Sequence, residues 1–343
     1  MNSIIDLQKR LLPDILPIMQ KRYSILQYIQ NMQPVGRRSL AGSIRLTERV
    51  LRSEVEFLKD QNLIDSTGVG MTITEDGASL LVHLENFMRQ VTGIDQMERE
   101  LQRRLQIKRI IVVAGNSDQS PWVKNELGRA SANCMKDLLN GKNIIAVTGG
   151  STMASIAEML TPDMHNDELL FVPARGGIGE DVKNQANSIC AKMAEKAGAK
   201  HRVFYVPDQV SQETYNSFIK EPFIKEALNL IQSASMVLHG IGDAITMAER
   251  RDTSAEDLEK IKNEHAVGEA FGYYFNEVGE VVHKVLTIGL QLEDLARMNH
   301  VIAVAGGTSK SKAIRAYLKQ APQSTILITD EGAAEQLLQG ESL

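Results

Sequence analysis

Residues 143–160 read NIIAVTGGSTMASIAEML, an apolar run that passes through two glycines into an amphipathic stretch. The unbroken apolar run over 143–148 is typical of a strand buried on both faces. In the stretch that follows, Met153, Ile156 and Leu160 recur at the spacing of one buried helix face. A strand that leads into a helix is the repeating unit of a parallel α/β sheet, so this stretch predicts a doubly wound, Rossmann-like domain.

The same alternation of short β-branched runs and helical stretches continues to the C-terminus. The runs predicted as strands are residues 109–114, 143–148, 169–173, 203–206, 236–239, 301–305 and 325–328. In open sheets of this kind, ligands bind beyond the carboxyl ends of the strands, where the strand order reverses. A functional site is therefore expected among the loops that follow these runs.

The loop after residues 143–148 is Gly149-Gly150-Ser151-Thr152. Glycines permit close approach of the backbone to a ligand, hydroxyl groups are donors, and a helix N-terminus offers free N–H groups to an anion. The loop therefore predicts a phosphate site, with a plain tight turn between strand and helix as the alternative. It matches neither a P-loop nor the GxGxxG fingerprint, which argues against a nucleotide ligand.

Two further strand ends bring a cation into a glycine-containing loop, with Arg175 in ARGGIG and Lys310 in GGTSK. Arginine binds phosphate through two parallel hydrogen bonds, and lysine binds it as a point charge. Either residue alone would more often be a surface charge, but three such loops at one sheet edge favour a shared anion site. A sugar would also need partners for its hydroxyl groups. Gln185 and Glu269 are candidates, although spacing alone does not fix their positions.

A basic patch lies near the N-terminus of an otherwise acidic chain. Five arginines and one acid fall between residues 37 and 53, whereas the formal net charge of the whole chain is −5. The surrounding sequence, GRRSLAGSIRLTERVLRSEVEFLKDQNLI at 36–64, divides into a short helix at about 39–44 and a longer helix that begins near Thr47. Two helices with so short a connection suit a helix-turn-helix, and the arginines suit contact with DNA. An arginine-rich helix pair in an unrelated α-helical domain is the alternative.

The longer helix has an inward and an outward side. The residues predicted to face inward are Leu46, Val50, Leu51, Val55 and Leu58. The residues predicted to face outward are Arg49, Arg52, Ser53 and Glu56. The outward side is the one that could enter a major groove, where arginine contacts guanine edges or phosphate.

Six residues are predicted to contact DNA: Arg37, Arg38, Thr47, Arg49, Arg52 and Ser53. Thr47 would also cap the longer helix, and the first two arginines suit the DNA backbone. Arg45 occupies the turn, where a small residue is usual. Residues 62–74 alternate and contain two glycines, which predicts a hairpin with Gly70 at its tip and hence a wing.

Residues 78–106 place apolar side chains at steps of three or four, separated by Glu, Gln and Arg. The apolar positions are Leu84, Phe87, Val91, Ile94, Met97, Leu101 and Leu105. This stripe predicts a helical linker that either packs on its own domain or forms a dimer. The predicted organisation is a winged helix-turn-helix over 1–80, a linker over 81–106 and an effector-binding and oligomerisation domain over 107–343.

Composition bounds the class of protein. The chain has 343 residues, of which 43% are hydrophobic and 24% charged, as in globular cytosolic proteins of two or three domains. No apolar run reaches the roughly 18 residues that a membrane span needs, and Pro13 and Pro17 interrupt the N-terminus where a signal peptide would be apolar. Cys134 and Cys190 show no metal-ligand spacing. The expectation is a cytoplasmic protein without a disulfide, metal, cofactor or membrane segment.

Motifs along nearly the whole chain resemble the SorC family of sugar-responsive bacterial regulators. They are LQKRLLPD (7–14), GRRSL (36–40), ERVLR (48–52), FLK (57–59), TGG (148–150), PARGG (173–177), GIGDA (240–244) and AGG (305–307). The resemblance implies a sugar-isomerase-like effector domain behind the DNA-binding domain. It also implies a repressor of the operon for the triose-phosphate steps of glycolysis, induced by fructose-1,6-bisphosphate and bound as a dimer or tetramer to a tandem operator.

The resemblance also assigns site residues, position by position. One phosphate would lie on Gly149, Gly150, Ser151 and Thr152, with Arg175 and Lys310 beside it. The rest of the sugar bisphosphate would contact Gln185, Arg250 and Glu269. The family often has threonine where Ser151 stands; serine keeps the hydroxyl group, so the departure concerns affinity rather than ligand class.

Two other functions remain open. The effector domain resembles sugar-phosphate isomerases, and His239, Asp243 or Glu269 could serve as the base of an enzyme. The basic patch favours regulation over catalysis, so no enzymatic activity is expected. The second alternative is a regulator that responds to another sugar phosphate, such as a pentose phosphate; the cations Arg175, Arg250 and Lys310 favour a bisphosphate.

Overall fold

The computed structural model describes residues 11–44, 46–164, 168–178 and 181–340. Residues 7–10 of the first family motif, Arg45 in the predicted turn and Gly179 in the predicted arginine loop lie outside the described residues. The chain divides into two compact units. Unit 1 contains Met1–Met97 and Gln119–Trp122, and unit 2 contains Glu98–Asp118 and Val123–Leu343.

Unit 1 contains helices followed by a hairpin and another helix. Its elements are α1 (Ile15–Met32), α2 (Arg37–Ser43), α3 (Glu48–Asp60), β1 (Ile64–Ser66), β2 (Met71–Ile73) and α4 (Glu75–Thr92). The two strands are antiparallel, with Ile64 opposite Ile73. The prediction of Gly70 at the tip was wrong, since Gly70 exchanges backbone hydrogen bonds with Thr67 and leaves Gly68 and Val69 at the tip. Gly70 still needs to be glycine, because it has a φ of +148° and an added Cβ would lie 2.9 Å from the backbone nitrogen of Val35.

The Thr47 hydroxyl accepts a hydrogen bond of 3.4 Å from the N–H of Val50 and so caps α3, as the sequence predicts. Leu51, Val55 and Leu58 form the buried side of the helix. The inward placement of Val50 was wrong, since its side chain is 38% exposed. At about 100° per residue, Val50 lies outside the arc that the three buried residues share.

The region predicted as one linker helix consists of two helices, α4 and α5 (Ile94–Leu105), separated by Gly93 with a φ of +81°. The apolar spacing continues across this single residue, which is why periodicity did not reveal the break. Val91, Ile94, Leu101 and Leu105 of the predicted stripe are buried within the single chain. Packing within the chain therefore accounts for much of the stripe, and dimerisation through it stays a prediction.

Unit 2 is built on a parallel seven-stranded sheet in the order β3-β13-β12-β7-β4-β5-β6. Its strands are β3 (Arg109–Val113), β4 (Asn143–Val147), β5 (Leu169–Pro173), β6 (Lys200–His201), β7 (Met236–Gly240), β12 (His300–Val304) and β13 (Thr325–Asp330). From β4 the chain proceeds to one edge through β5 and β6 and then returns to the other side of β4 as β7. The strand order therefore reverses between β4 and β7, and the predicted Rossmann-like architecture is confirmed.

Helices connect these strands. The α-helices of unit 2 after α5 are α6 (Val123–Leu138), α7 (Ser151–Met159), α8 (Ala186–Ala197), α9 (Gln212–Phe218), α10 (Pro222–Gln232), α11 (Ala244–Arg250), α12 (Ala255–Asn263), α13 (Ser311–Leu318) and α14 (Glu331–Gln339). Short 3-10 helices are Pro162–Met164, Val182–Asn184, Leu292–Arg297 and Thr308–Lys310.

The strand predicted over 203–206 was wrong, since β6 is the shorter Lys200–His201. Phe204 and Val206 are buried, as the apolar pattern requires, but in an irregular segment. The Asn187 side chain replaces a neighbouring strand: it accepts from the N–H of Phe204 at 2.8 Å and donates to the Phe204 carbonyl at 3.1 Å. One amide thus satisfies both backbone groups of Phe204, and only an isolated bridge between Gly177 and Pro207 follows it, so no strand forms here.

A second, antiparallel sheet in the order β11-β10-β9-β8 was not foreseen from the sequence. Its strands are β8 (Gly242–Asp243), β9 (Ala266–Ala270), β10 (Tyr273–Asn276) and β11 (Val281–Lys284). These strands are two to five residues long, and β9 mixes glycine and glutamate with small apolar residues, so their periodicity is weak. Tyr274 of β10 and Val285, just after β11, form one buried cluster with Ala248 of α11 and Ile261 of α12.

Candidate functional sites

A cavity of about 370 Å³ lies at the carboxyl ends of β4, β5, β7 and β12, where the strand order reverses. All of the residues predicted to contact an effector line it: Gly149, Gly150, Ser151, Thr152, Arg175, Gln185, Arg250, Glu269 and Lys310. The sequence placed Gly149, Arg175 and Lys310 at strand ends. The antiparallel sheet adds Glu269 from β9, which the sequence could not place.

The N-terminus of α7 forms one wall of the cavity. Gly150 precedes the helix with φ +119° and ψ +158°, a conformation that is essentially restricted to glycine. Its N–H donates to the Asn184 carbonyl at 2.8 Å, and as a glycine at the N-cap it has no side chain to cap the helix. The first N–H groups of α7, with the hydroxyl groups of Ser151 and Thr152, can therefore bind an anion.

Lys310 and Arg250 provide positive charge. The Nζ atom of Lys310 donates to the Ile241 carbonyl at 3.0 Å. Burial lowers the pKa of Lys310, and the nearby charges of Lys124 and Arg250 lower it further. Arg250 is exposed at the end of α11. Within the described ranges neither cation has a carboxylate at ion-pair distance, so both can offer their charge to a ligand.

Arg175 differs from these two cations because carboxylates already surround it. Its Nε donates to Asp208 Oδ1 at 2.7 Å, and its Nη2 lies 2.6 Å from the same oxygen in poor hydrogen-bond geometry. Arg251 donates from Nε to Asp208 Oδ2 at 3.1 Å and from Nη2 to Glu269 Oε1 at 2.9 Å. Although burial opposes it, Glu269 and Asp208 hold the pKa of Arg251 above its ordinary value.

The Gln185 amide braces the loop that contains Arg175. Its Oε1 accepts from the N–H of Ile178 at 3.1 Å, and its Nε2 donates to the Ile178 carbonyl at 2.7 Å. Gln185 therefore fixes the shape of the cavity wall through the backbone. A direct contact with a sugar stays a prediction.

Sequence reasoning missed Asp208, Arg251 and Phe271. Asp208 follows the segment that the sequence wrongly predicted as a strand. Arg251 follows Arg250 directly in the sequence, and the family resemblance assigned the effector contact to Arg250. Phe271 lines the cavity with a φ of +55°, in the turn between β9 and β10. No local pattern marks any of these three, because their role depends on residues that are distant in sequence.

The candidate bases of an enzyme have structural partners. His239 is fully buried, with Nε2 2.9 Å from the Tyr317 hydroxyl and Nδ1 3.0 Å from the Gly240 carbonyl. Burial lowers the pKa of His239 to about 4. The Asp243 carboxylate caps α11 through the N–H of Thr246 at 2.9 Å. Both groups therefore stabilise the fold around the cavity.

The predicted DNA-contacting residues are all exposed in unit 1: Arg37, Arg38, Thr47, Arg49, Arg52 and Ser53. They belong to α2, to the N-cap of α3 and to its first turns. Arg52 forms an ion pair with Glu56 on the same helix at 3.1 Å. Such an exposed pair is weak, so Arg52 can exchange it for a phosphate or a base.

An ion-pair cluster that sequence reasoning missed fixes α3 to α1. Glu54 accepts from Lys21 Nζ at 2.8 Å and from Arg22 Nε at 2.8 Å. The guanidinium of Arg22 also lies 3.5 Å from the centroid of the Phe57 ring. Although burial opposes it, the bonds from Lys21 and Arg22 lower the pKa of Glu54. The ion pairs of Glu54 thus fix the middle of α3, the helix that carries the exposed Arg49 and Arg52.

Comparison with known proteins agrees with this division of roles. Residues 18–88 match the CggR N-terminal DNA binding domain, and residues 89–339 match a family of sugar-binding domains. The central glycolytic genes regulator of Priestia megaterium is 61% identical over 339 residues, which cover 98% of this chain and 99% of that protein. The chain belongs to the SorC family. Within it, this member groups with the central glycolytic genes regulators.

Other relatives support the same assignment. The central glycolytic genes regulator of Bacillus subtilis is 59% identical over 99% of this chain and all of that protein. A SorC-family transcriptional regulator from Enterococcus faecalis is 50% identical over 71% of this chain and 99% of that chain, with a TM-score of 0.67. The full-length sorbitol operon regulator of Klebsiella pneumoniae, 18% identical with a TM-score of 0.63, shares the fold over 94% of this chain.

For this SorC-family chain, the cavity therefore lies in the sugar-binding domain, and the exposed arginines lie in the DNA-binding domain. No helix within the described ranges is long and apolar enough to cross a membrane. The described residues also contain no cluster of His, Cys, Asp and Glu that could hold a metal ion.

Proposed function

We propose that the protein represses the operon for the triose-phosphate steps of glycolysis and that fructose-1,6-bisphosphate in the cavity releases it from operator DNA. One observation carries the proposal: two cations without an ion-pair partner among the described residues, and the N-terminus of α7, converge on a cavity in the sugar-binding domain of a DNA-binding protein. The protein would act in the cytoplasm, where operator and glycolytic intermediates both occur.

One phosphate of the effector binds at the N-terminus of α7. The N–H groups after Gly150 and the hydroxyl groups of Ser151 and Thr152 donate to its oxygens, and Lys310 adds a full positive charge. Arg250 supplies the charge for a second phosphate. Arg175 contributes hydrogen-bond donors beside the ligand, but Asp208 already neutralises its charge.

Between the two phosphates, the sugar carries hydroxyl groups that need acceptors. Glu269 and Gln185, which also line the cavity, are the proposed partners of these hydroxyl groups. Lys310 and Arg250, which have no carboxylate at ion-pair distance in the described part of the chain, favour a bisphosphate, because a monophosphate would leave one of the two cations without a phosphate. A different sugar phosphate remains the second candidate ligand, because every contact to the first phosphate would be the same.

Operator DNA binds the exposed face of α2 and α3. Arg49, Arg52 and Ser53 approach base edges in the major groove, while Arg37, Arg38 and Thr47 contact the phosphate backbone. A homodimer or homotetramer would match the symmetry of a tandem operator. Induction requires that fructose-1,6-bisphosphate bind the state of low DNA affinity more tightly, because a ligand with equal affinity for both states shifts nothing.

Fluorescence anisotropy tests the proposal directly. The full chain is titrated onto the promoter fragment of its own glycolytic operon, with and without fructose-1,6-bisphosphate, and with glucose 6-phosphate and ribose 5-phosphate as comparisons. The bisphosphate is expected to weaken DNA binding most. An unchanged anisotropy curve would reject induction by this sugar, a stronger effect of a monophosphate would favour the second candidate, and turnover of any of these sugars by the purified protein would point to an enzyme.

A further inference from the structure

Four charged side chains at the cavity form a closed network that the proposed phosphate contacts do not explain. Arg175, Arg251 and Glu269 line the cavity, and Asp208 lies behind them. We call Arg175, Asp208, Arg251 and Glu269 the buried quartet. Their side chains are each no more than 6% exposed.

Asp208 joins the two arginines. Its Oδ1 accepts from Arg175 Nε at 2.7 Å, and its Oδ2 accepts from Arg251 Nε at 3.1 Å. Because each oxygen serves a different guanidinium, a shift of Asp208 would displace both arginines. Arg251 is further oriented by a bond of 3.0 Å from its Nη1 to the Tyr274 hydroxyl.

Arg251 in turn fixes Glu269. Glu269 Oε1 accepts from Arg251 Nη2 at 2.9 Å and from the N–H of Gly272 at 2.6 Å. The described residues provide no hydrogen bond to the other oxygen, Oε2. One oxygen of this carboxylate is thus fixed by hydrogen bonds, and the other can accept a hydrogen bond from a ligand.

The charges of the quartet cancel, since two guanidinium groups face two carboxylates. A buried neutral network attracts a phosphate dianion much less than Lys310 and Arg250 do, because those two cations lack carboxylate partners in the described part of the chain. The cavity therefore has a positive part at α7 and Lys310 and a neutral, polar part at the quartet.

From this division we infer that Asp208 and Arg251 are positioning residues, which hold Glu269 and Arg175 as a neutral surface for the hydroxyl groups of the effector. The inference rests on the proposed function, because it assumes that a sugar phosphate occupies the cavity. Discrimination by hydroxyl groups would then depend on the quartet, whereas attraction of phosphate would depend on α7, Lys310 and Arg250.

Calorimetric titration of the full chain with two bisphosphates tests the inference. Fructose-1,6-bisphosphate carries the ring and hydroxyl groups, whereas 1,6-hexanediol bisphosphate offers two phosphates and no hydroxyl group. Wild type is expected to prefer the sugar. Arg251→Lys keeps the charge but cannot reach Asp208, Glu269 and Tyr274 together, so it is expected to lower the ratio of the two affinities about tenfold, the effect of one charged hydrogen bond. Asp208→Asn should also lower the ratio, but it leaves the quartet with one net positive charge and should therefore tighten binding of hexanediol bisphosphate.

Tyr274→Phe removes only the hydroxyl group that orients Arg251, so it provides a milder variant if the charge changes impair folding. It should lower the same ratio by a smaller factor. Arg103→Lys, in an exposed pair with Glu100 outside the cavity, is the matched control and should leave the ratio unchanged. Melting temperatures verify that each variant is folded.

The outcomes separate the inference from the proposed function. If wild type binds neither bisphosphate, the proposed function fails and the inference falls with it. If wild type binds both bisphosphates equally, or if the folded variants lose affinity for both by the same factor, the quartet has only a structural role. For the charge-conserving variants Arg251→Lys and Tyr274→Phe, a lower ratio with unchanged affinity for hexanediol bisphosphate supports the positioning role.

Discussion

The ammonium group of Lys310 donates a hydrogen bond of 3.0 Å to the carbonyl oxygen of Ile241. This bond joins the loops that follow β12 and β7, which are neighbouring strands of the parallel sheet. It holds a positive charge at the carboxyl edge of the sheet while the charge itself stays without an ion-pair partner in the described residues. Lys310 is therefore the residue on which phosphate affinity should depend most.

Lys310→Gln is expected to weaken binding of fructose-1,6-bisphosphate by about tenfold to a hundredfold, since it removes one charge-assisted hydrogen bond. Operator affinity without effector should not change. Calorimetry and DNA anisotropy measure the two quantities. Lys312→Gln is the control, because Lys312 is exposed and paired with Glu277, and it should match wild type in both assays. Equal effects of the two substitutions would contradict the assigned role.

Effector affinity should also depend on alkaline pH through the same residue. Burial and the neighbouring charges of Lys124 and Arg250 lower the pKa of Lys310, so its ammonium loses a proton at a lower pH than an ordinary lysine does. Affinity for the bisphosphate is therefore expected to decline as pH rises toward the ordinary lysine range. Lys310→Arg keeps its charge and should show a flatter profile; parallel profiles for the two proteins would argue against Lys310 as the titrating group.

Gly150→Ala should affect stability and effector binding together. The conformation at φ +119° and ψ +158° is essentially restricted to glycine, and forcing alanine into it costs about 1–3 kcal/mol or shifts the N-terminus of α7. Thermal unfolding and calorimetry are the measurements. Gly141→Ala, at φ +62° before the opposite end of β4, should also lower stability but leave effector affinity intact. Undiminished effector binding by Gly150→Ala would remove the helix N-terminus from the site.

Glu54→Gln is expected to destabilise the DNA-binding domain by about 1–2 kcal/mol, because its hydrogen bonds to Lys21 and Arg22 are charge-assisted but only partly buried. The effect should depend on pH. Because the folded-state pKa of Glu54 is lowered, its contribution is complete above the ordinary glutamate pKa and is lost as pH falls through the folded value. Wild type and variant should thus converge in thermal stability in acid; a difference that persists there would exclude the ion pairs as its cause.

Arginines on the two helices should contribute differently to DNA recognition. Arg49→Ala is expected to cost about 1–3 kcal/mol on the operator and to relax specificity, as for a base contact. Arg38→Ala should weaken binding on any sequence and reduce the salt slope by about one. Anisotropy on operator and scrambled duplexes over a range of salt concentrations separates the two effects. Lys225→Ala, exposed in the sugar-binding domain, should change neither.

The sequence predicted the parallel sheet well because its signals are local. Leu169–Pro173 was predicted with its exact limits, and Asn143–Val147 was predicted one residue too long. The segment at 203–206 had a similar apolar pattern, but the Asn187 side chain took the place of a strand. The second sheet escaped because its strands are short and depend on one another for burial rather than on a pattern of their own.

The sequence by itself determined that Gly150, Ser151 and Lys310 follow buried strands, and parallel strands bring their carboxyl ends to one edge. Chain connectivity is enough for that conclusion. Only the tertiary structure decided that Arg175 is neutralised by Asp208, whereas Arg250 keeps a charge without a carboxylate partner in the described residues. Ion pairing depends on distances of a few ångströms between residues far apart in sequence, and no local pattern encodes them.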